Sequence, residues 1–322
     1  FSLAKDHGEC GVMSPFVWMF IGSYEKLRNE IIDNRTLTSL IQLEYSGFAG
    51  ATVPICTYTF HNSFVKGYKG GYVRLSDFVG AAVQAPKALE AIQNPNCGWF
   101  YRRDADTFKQ IPGTPIAYWA SDGLLSAFSL GHSIGDYSDY TGSQNKTGDN
   151  NLYLRLFWEV GARSVGRKGS WATYSKGGDF RRWFGNLHWL VSIKKDAIEF
   201  YQSNPTSNLL ASKYWFSEGV CYTMLTSGKP SFRLLPPTGG FDMAGPCICG
   251  LGSSENWTLG FLTCSIAADV LSMLNPTLNM QARDIKALPM LISAEYKPAI
   301  NSLVDSNVSI SKNDVKFCVF RS

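Results

Sequence analysis

The chain lacks any window approaching the ~20 uninterrupted apolar residues of a membrane-spanning helix, because its densest apolar stretches meet a charge, Gly or Pro within a few positions. A soluble protein with no membrane partner is expected. None of its eight cysteines (Cys10, Cys56, Cys97, Cys221, Cys247, Cys249, Cys264, Cys318) forms a Cys-x-x-Cys pair, and its four histidines (His7, His61, His132, His188) are scattered singly. Zinc sites draw on closely spaced ligand pairs, so no metal is expected. Free thiols in runs such as Val53-Pro-Ile-Cys56 fit a reducing, cytoplasmic setting. There is no Gly-x-Ser-x-Gly elbow, no Walker loop and no Gly-x-Gly-x-x-Gly fingerprint. Asp136 and Asp139, the nearest approach to paired carboxylates, lie in a Gly/Ser/Tyr turn and read as solvated turn acids. No catalytic residue is assigned. The chain also lacks an initial Met and a signal-peptide pattern, and reads as a chain entered part-way.

What is present is an ordinary globular composition: 322 residues, 45% hydrophobic and 17% charged, too apolar for disorder. Such a length accommodates one large or two medium cores. The net charge of +4 is uninformative as a total, because a nucleic-acid footprint is a local basic face.

Residues 11 to 60 read as strand, helix, strand, strand. Ser14 offers an N-cap with Pro15 at the first helical position. Phe16, Met19, Phe20, Tyr24, Leu27 and Ile31 follow at helical spacing, with charges on the other side from Glu25 onward, predicting an amphipathic helix over 15–33. β-rich runs follow at 39–45 and 52–60, joined by a Gly-containing loop. Beyond residue 80 short runs are punctuated by Gly, Pro and aromatics, with helices expected at 81–92, 122–128 and 259–274. The polar segment 142–151 reads as a loop.

Charge collects between Arg163 and Lys195. Arg163, Arg167, Lys168, Lys176, Arg181 and Arg182 are interleaved with Trp171, Tyr174, Phe180, Trp183, Phe184 and Trp189 and with several glycines. Cations neutralise phosphates, aromatics stack or wedge on bases, and glycines let backbone approach closely. A solvated basic loop with core aromatics has the same composition, so composition alone does not separate the two readings. Lys229 and Arg233, beside small hydroxyl residues, add a second cationic stretch.

Several segments, in order, carry a resemblance. They are Gly11-Val-Met-Ser-Pro-Phe-Val-Trp-Met-Phe20, Ser23-Tyr-Glu-Lys-Leu-Arg28, Gln42-Leu-Glu-Tyr-Ser-Gly-Phe48, Gly50-Ala-Thr-Val-Pro-Ile-Cys56, Thr147-Gly-Asp-Asn150 and Phe157-Trp-Glu-Val160. Then come Tyr174-Ser-Lys-Gly-Gly-Asp-Phe-Arg-Arg-Trp-Phe-Gly-Asn186, Ser227-Gly-Lys229, Phe241-Asp-Met-Ala-Gly-Pro246, Asn275-Pro-Thr-Leu-Asn-Met-Gln281 and Asp284-Ile-Lys-Ala-Leu-Pro289. The chain resembles the adenine-specific DNA methyltransferases of BREX phage defence, akin to fused type II restriction-modification enzymes.

The resemblance implies an α/β remnant of a Rossmann-like methyltransferase domain followed by a mixed α+β target-recognition domain. Residues 1–75 would be the C-terminal part of the catalytic domain, 76–290 the recognition domain, and 291–322 the start of a C-terminal region that reads as truncated. It implies S-adenosylmethionine as cofactor, double-stranded DNA as partner, and other BREX or restriction-system proteins as further partners. The Asn/Asp-Pro-Pro-Tyr/Phe motif and the cofactor glycine segment of such enzymes are absent, so the chain alone is expected to be inactive. Phe48 is carried over as the residue against the flipped base, with packing onto the strand ends as the alternative. Lys168, Lys176, Gly177, Arg181, Arg182, Trp183 and Lys229 are the implied DNA contacts, with Asn279 and Gln281 as amide readers; Asn275 to Asn279 reads equally as a capped helix end. The competing readings are a stand-alone DNA-specificity subunit and a scaffold with no nucleic-acid role.

Overall fold

A computed structural model describes residues 4–47, 53–139, 142–226, 228–275 and 280–319. The chain divides into two compact units, Phe1–Leu130 with Met273–Pro276 and Gly131–Ser272 with Thr277–Ser322. The expected Phe48 and Asn279 lie outside the described residues.

In the first unit the elements are β1 (Glu9–Pro15), α1 (Glu25–Asn34), β2 (Thr36–Gln42), β3 (Ile55–His61), β4 (Lys69–Arg74), α2 (Ala81–Gln93), β5 (Phe100–Asp104) and α3 (Asp122–Leu130). The strands form one sheet in the order β1-β3-β2-β4-β5. Only β2 and β4 pair in parallel; the other three pairings are antiparallel. Along β3 the residues alternate, with Cys56, Tyr58 and Phe60 buried, as a strand with one core face requires. The core on that face includes Trp18, Met19, Leu40, Tyr72, Phe108 and Tyr118. β5, α2 and α3 belong to this unit, which continues to Leu130.

The helix expected over 15–33 is corrected. Pro15 is the last residue of β1, in register with Ile55. Two 3-10 turns, Phe16–Met19 and Gly22–Tyr24, precede α1. Phe16, Trp18 and Met19 are all buried. A single helical stripe could not bury these three together, and the segment folds over the sheet instead.

Arg28 explains how that irregular segment is held. It sits on α1 but is only 1% exposed. Its guanidinium donates to the carbonyls of Trp18 (2.7 Å), Ile21 (2.8 Å), Gly113 (3.1 Å) and Thr114 (3.0 Å). The planar fork of five donors suits several carbonyls at once. Burial pulls its pKa below the usual guanidinium value, with Glu25 opposing.

The second unit comprises β6 (His132–Ser133), α4 (Asn150–Tyr153), β7 (Leu154–Leu156), β8 (Trp171–Ser175), β9 (Trp189–Ser192), α5 (Lys195–Ser203), β10 (Gly219–Tyr222), β11 (Phe232–Leu235), β12 (Gly239–Phe241) and β13 (Cys247–Cys249). α6 (Glu255–Leu262), α7 (Ser265–Leu274), α8 (Ala282–Lys286), β14 (Pro289–Met290) and α9 (Lys297–Val319) complete the order. The larger sheets run β12-β8-β9-β7 and β11-β10-β13, and β14 pairs with β6. The single helix expected over 259–274 is two helices, α6 and α7. Thr263 caps the first, its N–H bonded to Leu259 O. Among the described residues no single helix is long and apolar enough to cross a membrane.

At the start of α6, Glu255 meets Glu218 on the wall of a polar cavity of about 590 Å³. Burial and the neighbouring carboxylate raise the Glu255 pKa to about 8, because two carboxylates at one partly buried place cannot both ionise cheaply.

Two outcomes are expected. Arg28→Met leaves four carbonyls without their donor and should cost about 3 kcal/mol of stability; an unchanged urea midpoint would refute the assignment. Glu255 holds a proton in the folded state that the unfolded chain releases near its ordinary value of 4.5, so its contribution is full below pH 4.5 and is lost as pH rises to about 8. Stability measured across that window should fall for the parent and fall less for Glu255→Gln.

Candidate nucleic-acid interface

The cationic and aromatic residues Lys176, Phe180, Arg181, Arg182, Trp183 and Phe184 lie on one loop, the connection from β8 to β9. It is tightly wound: Gly177, Gly178, Trp183, Gly185 and Asn186 all have positive φ. Two further loops, β10 to β11 and β12 to β13, pack beside it. Thr223 Oγ1 donates to Gly178 O at 3.1 Å, and Met224 N to Ala244 O at 3.0 Å. Met280 N donates to Met224 O at 2.8 Å, which brings the segment before α8 to the same place. Gly177 has a steric reason: with φ +74°, a Cβ there would lie 2.6 Å from Ala244 O. Its need is met by the neighbouring loop, whereas the sequence reading invoked approach to a phosphate.

Beneath the loops lies a buried polar network. Tyr174 donates from its hydroxyl to Asp242 Oδ2 at 2.9 Å, and Asn145 Nδ2 reaches that hydroxyl at 3.3 Å. Asp242 Oδ1 accepts from Ala244 N at 2.8 Å. Lys176 Nζ stands 3.3 Å from Asp242 Oδ2 and 3.4 Å from Asn150 Oδ1. Asp242 is 5% exposed and Asn145 fully buried. Desolvation, then the Asp242 charge, push the Tyr174 pKa well above its usual value, so it remains a donor. Three of the segments that carry the resemblance, 147–150, 174–186 and 241–246, meet here.

Of the remaining sequence-predicted residues that are described, all but one lie on or beside these loops. Arg181 pairs with Asp314 of α9 at 3.1 Å. Arg182 is exposed, lies over the Phe180 ring at 5.9 Å, and donates to Thr263 O at 3.0 Å, satisfying a C-terminal carbonyl of α6. Trp183 extends the β11 edge: its N donates to Phe232 O and its O accepts from Leu234 N. Lys229 is exposed on the β10–β11 loop. Gln281 is the N-cap of α8, its backbone N–H bonded to Asp284 Oδ2 at 3.1 Å. Lys168 is the exception. It occupies an exposed turn before β8, at the opposite end of that strand from Lys176. At about 3.3 Å per residue, the strand holds the two well apart.

Sequence reasoning missed two residues of this region. Arg233, read as a surface cation, is fully buried; it donates to Ser231 Oγ (2.9 Å) and Thr223 Oγ1 (3.3 Å) and reaches Arg181 O (3.5 Å). Asn145 fell in a stretch read as a polar loop. The adjoining Thr147-Gly-Asp-Asn150 was its only signal. Of the acids set aside earlier, Asp136 accepts from Ser133 N–H and Oγ–H, which lowers its pKa, and Asp139 pairs with Lys213 at 3.2 Å. Among the described residues no group of His, Cys, Asp and Glu could hold a metal.

Among its described residues, the first unit shows no glycine-rich turn of the kind that would hold S-adenosylmethionine. A nucleoside cofactor of that kind is held at a glycine-rich turn from strand to helix. After β1 that position is filled by the buried Phe16, Trp18 and Met19; after β4 only Gly80 stands before α2, with no second glycine in the turn.

No family model matches the chain. Over 97% of its length it is 28% identical to the adenine-specific methyltransferase PglX of Lacticaseibacillus casei (strain Zhang), and over 98% it is 28% identical to the adenine-specific methyltransferase BrxX of Escherichia coli O9:H4 (strain HS). The chain covers 27% and 26% of these relatives, about a quarter of their length. Among solved structures it is similar to the type IIL restriction-modification enzyme MmeI, determined in complex with DNA, with a TM-score of 0.56 over 95% of this chain and 42% of that one at 10% identity. That likeness is one of fold. The resemblance seen in scattered sequence segments is thus a similarity to adenine-specific methyltransferases along nearly the whole chain.

Proposed function

We propose that this chain is the DNA-recognition part of an adenine-specific DNA methyltransferase acting in phage defence, with double-stranded DNA as its ligand. The observation that carries this reading is similarity to two adenine-specific methyltransferases over 97% and 98% of the chain. The second unit supports it by bringing together the β8–β9, β10–β11 and β12–β13 loops, of which the first two present the exposed cations Arg182 and Lys229. Residues 1–75 are assigned to the end of the catalytic domain, 76–290 to recognition, and 291–322 to the start of a further region. Methyl transfer from S-adenosylmethionine would belong to the longer protein, which would work in the cytoplasm with other BREX or restriction-system proteins.

The cations have distinct parts in this reading. Arg182 and Lys229 are exposed and meet phosphates. Arg181 exchanges Asp314 for a phosphate, since an exposed pair of this kind contributes only about 0–1 kcal/mol. Lys176 stays with Asp242 and supports the loop. Lys168, at the far end of β8, contacts a more distant part of the backbone or none.

Duplex binding by anisotropy across a salt series tests the proposal. The parent should lose affinity steeply with salt, and Arg182→Ala or Lys229→Ala should each lower the log–log slope by about 0.9. Salt-independent or undetectable binding would overturn it. In a separate assay with radiolabelled S-adenosylmethionine, the chain alone should transfer no methyl group to DNA; incorporation would show that catalysis resides within these residues.

A further inference from the structure

Three large apolar side chains stand exposed on the three adjoining loops of the second unit: Phe180 (56%), Leu225 (67%) and Met243 (41%). Each lies within three residues of a point where the loops are joined. Gly178 is bonded to Thr223, and Met224 to Ala244. The backbone around Phe180 is held from several sides. Asn186 Nδ2 donates to Asp179 O at 2.8 Å, Arg182 to Thr263 O at 3.0 Å, and the buried Arg233 reaches Arg181 O at 3.5 Å. A mobile loop can leave an aromatic in water by default. Here the fold presents the ring outward on a fixed frame, beside the guanidinium of Arg182.

Exposed apolar groups on loops that also carry exposed cations, Arg182 beside Phe180 and Lys229 on the β10–β11 loop, suit a polyanion with an apolar interior, and a nucleic-acid duplex is such a partner. Phosphates would meet Arg182 and Lys229, while base faces offer the apolar surface reached by side chains that part a base step. Taking the duplex-binding reading as its basis, we propose that Phe180, with Leu225 and Met243 exposed on the adjoining loops, is a wedge that inserts at a base step and unstacks or bends the DNA. The cations would then set affinity and its salt dependence, and the apolar tips the deformation. A protein that delivers an adenine out of the stack gains from lowering the cost of unstacking nearby.

The test uses a 30-base-pair duplex carrying 2-aminopurine at TA steps, which unstack easily, with donor and acceptor dyes at its ends. The parent should raise 2-aminopurine emission severalfold and increase energy transfer between the ends. Phe180→Ala should lose both signals and bind about tenfold more weakly, with the salt slope unchanged; Phe180→Trp should restore them. Arg182→Ala should do the reverse, lowering the slope while any complex formed still shows the emission rise. Because Phe180 is exposed, its variants should keep the parental melting temperature, which separates loss of the wedge from unfolding. Binding by the parent with neither signal, or full signals from Phe180→Ala, would overturn the wedge while leaving duplex binding in place. No binding by the parent at any salt would overturn the duplex reading and the wedge together.

Discussion

Asp242 has been stripped of almost all its water, and the geometry of the candidate interface follows from satisfying it. A carboxylate in that position demands donors on every side. They come from Tyr174 on β8, from Ala244 on the β12–β13 loop and from Lys176 where the β8–β9 loop begins. Two partners lie at the end of β8 and just beyond it and the third on Asp242's own loop, so meeting the demand of one side chain sets where two loops leave the sheet. Gly177 then allows the loops to close to backbone contact. Removing a donor would leave a buried charge uncompensated, which is far costlier than losing a surface pair.

This network changes the meaning of the basic cluster seen in the sequence. Its cations are not equivalent. Lys176 neutralises Asp242, Arg182 also closes a helix end, and Arg181 meets Asp314. Arg233 lies wholly inside, donating to hydroxyls and reaching a carbonyl. A local count of Lys and Arg therefore overstates the charge available to a ligand. What remains toward solvent is a smaller set, framed by apolar tips.

The legible part of the fold was that with local causes. β3, α2 and α3 are placed to within a few positions by a β-rich run and by helix signals in the residues, because these elements are specified by their own local sequence. The segment after Pro15 was misread because its apolar residues pack inward from several directions and so mimic a helical stripe. Arg28 and Arg233 were unreadable for a different reason. Periodicity assigns arginine to solvent, and only carbonyls and hydroxyls brought in from elsewhere make burial tolerable. At the candidate site, composition marks the 176–183 loop and Lys229 as candidates. It has no means of seeing that Lys168 stands at the other end of β8, nor that Gln281 is the N-cap of a helix.

The pairing of β8 with β12 has a consequence for how the second unit comes into being. Thr173 to Ser175 lie beside Gly239 to Phe241 in parallel, and the bond from Tyr174 to Asp242 spans 68 positions of chain. Contacts of such separation close late, since the intervening chain must lose its freedom before they form. The loops are thus assembled after the strands that carry them have met. An isolated peptide of residues 163–195 would keep the charges and rings of the basic cluster but not their arrangement, because the carboxylate and the glycine-tight neighbour that organise them arrive from the far side of the unit.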